Sequence, residues 1–158
     1  MELLTPTDAA EGARALTDRS GGPTGLRRAA QELSVTVHEV DSESGWDESA
    51  WCGQVTACLQ QLDSAWMRHA QDNESPGGFF DQVRTEAPQL DPRLKQLHRE
   101  HESLHRTIQH TIDLVARPAD PQEVRRDVDG LLALLSKHEQ RGADVIHQAY
   151  DVDDGGGD

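Results

Sequence analysis

Three long stretches of this chain carry apolar residues at alternating spacings of three and four, and one histidine interrupts each stripe. Such spacing puts the apolar side chains on one face of an α-helix, and its persistence over many turns suits near-parallel helix packing. The stripe of the second segment reads Cys52, Val55, Leu59, Leu62, Trp66, His69. The third reads Leu90, Leu94, Leu97, His101, Leu104, Ile108, Thr111, Val115, and the fourth Val124, Val128, Leu131, Leu135, His138, Gly142, Val145, Ala149. A first, shorter stripe (Leu26, Ala30, Leu33, Val37, Val40) covers residues 25–40, although the β-branched run Val35-Thr36-Val37 works against a helix there. No alternating pattern marks a strand. The expected fold is all-α, an antiparallel up-down four-helix bundle.

Start and stop signals set the boundaries. Ser49, with Glu48 beside it, is a fair N-cap for the second helix. Ser75-Pro76-Gly77-Gly78 interrupts that helix, and Phe79 to Val83 adds a further turn or two. Asp91-Pro92 opens the third helix, Arg117-Pro118 closes it near residue 116, and Asp120-Pro121 opens the fourth. Residues 1–24, ending in Ser20-Gly21-Gly22-Pro23, are expected to be a flexible N-terminal segment. Residues 25–150 form the bundle, and 151–158 are an acidic, Gly-rich tail with nothing to bury.

Composition excludes several roles. The 29 acidic and 15 basic residues give a formal charge of −14, which repels phosphate backbones, so nucleic acid is not an expected partner. No apolar run approaches the roughly 18–20 residues needed to cross a bilayer. The N-terminus lacks the basic flank and long apolar stretch of a signal peptide, so a cytoplasmic protein is expected. Six residues of helix separate Cys52 and Cys58 by about 9 Å, too far for a mutual disulfide. They read as two small core or flank thiols in a reducing cell. No feature of the sequence identifies a protein partner.

The histidines carry the chemistry. His69, His101 and His138 sit on apolar seams, where a polar ring must find partners to offset its burial. His101 lies about 15 residues before the third helix ends, and His138 about 16 after the fourth begins, which levels the two rings in an antiparallel pair. His105, one turn beyond His101, has the spacing that lets two imidazoles reach one metal centre. Among nearby carboxylates, Asp72, Glu74 and Asp144, Glu74 lies where the helix should unwind and can turn inward. The expected metal ligands are His69, Glu74, His101, His105 and His138. Such donors suit iron, and also zinc or manganese.

These segments resemble bacterial hemerythrin-like domains over about residues 45–155. The run from His69 to Glu74, followed by Ser75-Pro76-Gly77-Gly78-Phe79, resembles the family's second-helix end, and Ala87-Pro88 with Leu90 its following turn. Leu97 to Leu104, with His101 and His105, resembles the third helix. His138 to Asp144, with Ala149 to Asp153, resembles the fourth. The resemblance implies a four-helix bundle holding non-haem iron, one or two ions, through buried histidines and carboxylates. It further implies binding or sensing of oxygen, redox state or iron rather than catalysis, with a small ligand such as O2 at the metal. The chain departs from the pattern at three places. Its only candidate for a first-helix histidine, His38, is expected roughly 30 Å from His69 by helical rise. Asn73 and Ala143 stand where the family's carboxylates would be.

Two further readings stay open. His101-Glu102-Ser103-Leu104-His105 spells the short motif of zinc peptidases, though no Gly or third His of the extended motif follows. A helical interaction module without metal, its buried histidines only hydrogen-bonded, also fits.

Overall fold

The structure, a computed structural model, describes residues 22–39 and 46–150, with side chains from residue 25. Every regular element among them is helical: α1 (Gly22–His38), α2 (Glu48–Glu74), α3 (Phe79–Glu86), a 3-10 turn (Pro88–Leu90), α4 (Asp91–Ala116) and α5 (Pro121–Tyr150). The leading segment expected over 1–24 lies outside the described residues except for its last three. The tail over 151–158 and the stripe position Val40 lie outside them altogether.

Two boundaries differ from the sequence expectation. Helix α1 begins at Gly22 rather than 25, with Pro23 in its first turn, where a missing N–H breaks no bond. The N-cap of α2 is Asp47 rather than Ser49: its carboxylate accepts the N–H groups of Ser49 and Ala50. A carboxylate also complements the positive end of the helix, which a serine hydroxyl does not. The β-branched run of α1 is tolerated because Leu33 and Val37 are wholly buried while Val35 faces water, so packing outweighs propensity.

The long helices contact one another in a closed order: α1 with α2, α2 with α4, α4 with α5, and α5 back to α1. Cross-links fix the register. Arg27 pairs with Glu139 and His38 with Asp129 between α1 and α5. Between α2 and α4, Asp63 meets His105 and Glu74 meets His98. In each pair residue numbers rise along one helix as they fall along the other. Cys58 meets Thr36 at 3.5 Å between α1 and α2. Helix α2 therefore starts about eight residues beyond the end of α1, and His38 lies only about 14 Å of helix rise from the level of His138. The expected 30 Å assumed that α2 starts level with the end of α1, and this overhang corrects it.

The apolar interior is split in two. A larger cluster fills the space between α1, α2, α4 and α5, from Leu26 and Trp51 to Trp66, Leu104 and Leu135. A smaller one joins α3 and the 3-10 turn to Leu94, Leu97 and Val145. On α4 the boundary between them is His101, and on α5 it is His138.

The turn between α2 and α3 is tight. Gly77 has φ +73°, a left-handed conformation suited to glycine. Gly78 is constrained by space instead, since an added Cβ would stand 2.5 Å from the carbonyl oxygen of Asp72 and 2.8 Å from that of Ser75. Gly78→Ala is expected to destabilise the protein by about 1–3 kcal/mol. Gly130→Ala, on α5 with nothing near its added Cβ, is expected to stabilise it by about 0.5–1 kcal/mol. Urea denaturation of both variants checks the pair; equal stabilities would show that the turn is not packed this way.

Candidate metal centre

Helical spacing brings one imidazole from each of three helices to the boundary between the two clusters. His69 comes from α2, His101 from α4 and His138 from α5, with ring centroids 4.9–5.4 Å apart. Their ligating nitrogens lie within 4.8 Å of one another. Trp66, fully buried one turn before His69, makes ring contact with all three and donates its indole N–H to the backbone carbonyl of His101. Phe80 of α3 stacks flat on His101. The rings of His101 and His138 are buried, and that of His69 is half-buried.

Carboxylates hold two of the rings from behind. The Nδ1–H of His101 donates to Glu74 at 2.7 Å, and the same carboxylate oxygen accepts from His98 at 2.6 Å. The Nδ1–H of His138 donates to Glu100 at 2.7 Å, whose other oxygen accepts from Arg141 at 2.6 Å. With Nδ1 engaged, Nε2 of each ring presents a lone pair to the interior. The Nε2 of His101 is buried and has no hydrogen-bond partner. The Nε2 of His138 lies 3.2 Å from that of His69, which also lies 3.2 Å from the Asn73 amide nitrogen.

With neutral rings and the amide nitrogen of Asn73 facing His69, one of these contacts stays unsatisfied. If the Nε2 of His69 carries hydrogen, it can donate to His138, but the amide N–H of Asn73 then faces another N–H. If it does not, it accepts from Asn73, but two lone pairs then oppose each other at 3.2 Å. One cation among the three nitrogens would remove the opposition of lone pairs. Nitrogens bound to one ion at about 2.1 Å stand roughly 3–3.5 Å apart, so the His69–His138 pair already has a chelating separation. The third nitrogen must close in by at most about 1.5 Å.

Burial is the main cause holding all three rings in the neutral form that metals require. It lowers His69 to about 3, helped by repulsion from His101 and His138. It lowers His101 to about 4 against the hydrogen bond to Glu74, and lowers His138 against the hydrogen bond to Glu100.

Of the residues expected as ligands, His69, His101 and His138 are brought together. Glu74 does turn inward as the helix unwinds, but it meets the outer nitrogen of His101. His105 donates to Asp63 at 2.7 Å, and Gln109 donates to the other oxygen of Asp63, one turn from the three rings. Asp144 accepts from Gln140 on the surface. His38 pairs with Asp129 and is exposed. Sequence reasoning missed Glu100, although the helix offsets that level His101 with His138 level Glu100 equally well. It also missed Asp63, for which no sequence signal stood out. The thiols of Cys52 and Cys58 are free. No helix of the described residues is long and apolar enough to cross a membrane.

Comparison with protein-family models, with curated proteins and with solved structures finds no match for the chain.

A folded-state pKa below 6.5 means that the unfolded chain takes up the proton first. The stability linked to His69 and His101 is complete above about pH 6.5 and is lost as pH falls toward about 3 for His69 and about 4 for His101. With a chelator present, urea unfolding at pH 7 and pH 5 should show lower stability at pH 5. In His69→Gln that difference should shrink by at most about 2 kcal/mol. A difference unchanged in the variant would show that His69 is not buried as a neutral ring.

Proposed function

We propose that this chain is an antiparallel, up-down four-helix bundle of the hemerythrin-like kind. In this proposal His69, His101 and His138 hold a transition-metal ion for binding or sensing a small ligand such as oxygen. The cross-linked registers of the four long helices support the topology. One observation carries the metal site: the Nε2 of His101 is buried without a partner in a group whose other ligating nitrogens are within 4.8 Å. Leaving such an acceptor bare costs about 1–3 kcal/mol, which coordination would offset. The carboxylates behind His101 and His138 support it further, because partners on the outer nitrogen orient metal-bound imidazoles and raise their basicity.

The ligating group contains three imidazoles and no carboxylate among the described residues, which suits one ion better than an iron pair. Iron is the element that the family resemblance implies; zinc and manganese accept the same donors. When bound, the ion would supply a Lewis-acidic position open to a small ligand. The protein's own part is to fix the rings through Glu74 and Glu100, and to shield them with Trp66 and Phe80. We place this protein in the cytoplasm, where the free thiols suit reducing conditions, and its acidic surface disfavours nucleic acid. The role is binding rather than turnover. The geometry gives the peptidase reading no support, because His101 and His105 are held on different carboxylates and Glu102 sits on the surface beside Arg106.

Elemental analysis of protein from iron-supplied cells tests the proposal. About one ion per chain is expected, absent from His101→Gln, with circular dichroism confirming that the variant is folded. Glu100→Gln should keep the ion but bind it about 10–100-fold more weakly. Two ions per chain would restore the iron pair. No metal in the parent protein would leave a bundle whose histidines only hydrogen-bond one another, as His69 and His138 are placed to do.

A further inference from the structure

We propose that Asn73 makes the open position of this centre selective for a small oxyanion of the carboxylate type, one oxygen on the ion and the other on the Asn73 amide. The inference rests on the metal-site reading above and adds the ligand class. It begins from a donor set of neutral imidazoles, which leaves the charge of the ion uncompensated at whatever position stays open. Glu74 and Glu100 do not fill that position, because each is occupied behind its histidine. Asp72 is half-buried with one oxygen unpartnered, but it is not part of the ligating group.

The open position lies on the α2 side. His101 and His138 are sealed in by packing, whereas His69 and Asn73 are both half-buried. Asn73 is one turn after His69, and its amide nitrogen is 3.2 Å from the Nε2 that an ion would take. Once that lone pair is on a metal, the amide N–H loses its acceptor. An N–H freed beside a cation favours an acceptor that the cation also attracts, and an anion meets both demands. A diatomic ligand or a halide can occupy the ion alone. A planar oxyanion has a second oxygen, so it can span from the ion to the amide.

The test uses Co(II) as the ion, whose visible absorption reports its ligands, and formate as the oxyanion. Chloride serves as a control too small to span. Formate should bind the Co(II)-loaded parent saturably. In Co(II)-saturated protein, Asn73→Ala should weaken formate about tenfold, the worth of one charge-assisted hydrogen bond, and chloride much less. Asn73→Asp should tighten Co(II) and repel formate. Unchanged formate binding in Asn73→Ala, or parallel losses of formate and chloride, would overturn the role of Asn73 while leaving the metal site intact. Failure of Co(II) to take imidazole ligands in the parent would overturn the metal site, and this inference with it.

Discussion

A buried imidazole is tolerable only when both ring nitrogens are answered, and this bundle brings three of them into mutual ring contact. Much of the local architecture serves that requirement. Each of the rings from α4 and α5 has a carboxylate on its outer nitrogen, and each carboxylate is tied to a second group, Glu74 to His98 and Glu100 to Arg141. For Glu74 to reach His101, α2 has to end where it does. Ser75 takes extended backbone, Gly77 turns with positive φ, and Gly78 allows α3 to fold back against the carbonyl of Asp72. The break in α2 is therefore part of the centre, and α3 returns with Phe80 to cover His101.

How much of this was legible follows from what periodicity encodes. The stripes of α4 and α5 marked the buried faces, because Leu94, Leu97, Leu104, Ile108, Val128, Leu131 and Leu135 have no other way to leave water. The same periodicity levelled His101 with His138, since equal offsets from a shared loop need only the helical rise. Positions that depend on a register between helices not joined by a short loop were not legible. The overhang of α2 beyond α1 is set by contacts such as Cys58 with Thr36, and the reach of Glu100 and Asp63 by neighbouring helices. His105 shows the limit most clearly. Its spacing from His101 permits a shared ion, but Asp63 on the facing helix draws its ring elsewhere.

The division of the core explains why the histidines sit where they do. The larger cluster lies between the four long helices, whereas the smaller one is capped by α3 and the 3-10 turn. At the boundary α1 contributes little, since its early residue Arg27 already pairs with Glu139, next to His138. No histidine from α1 stands at this level, and His38 is at the opposite end on Asp129. Among the described residues, the donor set is limited to α2, α4 and α5.

That limit has a chemical consequence. Three neutral nitrogens, with Asn73 rather than a carboxylate one turn from His69, present an ion with less negative charge than a site built on bound carboxylates. Less charge in the donor set would favour ligands that bring their own, and would leave a bound ion more Lewis-acidic. The metal-free alternative requires the same side chains to satisfy one another. There Glu74 and Glu100 hold Nδ1–H on two rings, and the Nε2 of His69 faces both His138 and Asn73. A cation would relieve the His69–His138 contact, and the packing of Trp66 holds the three rings together.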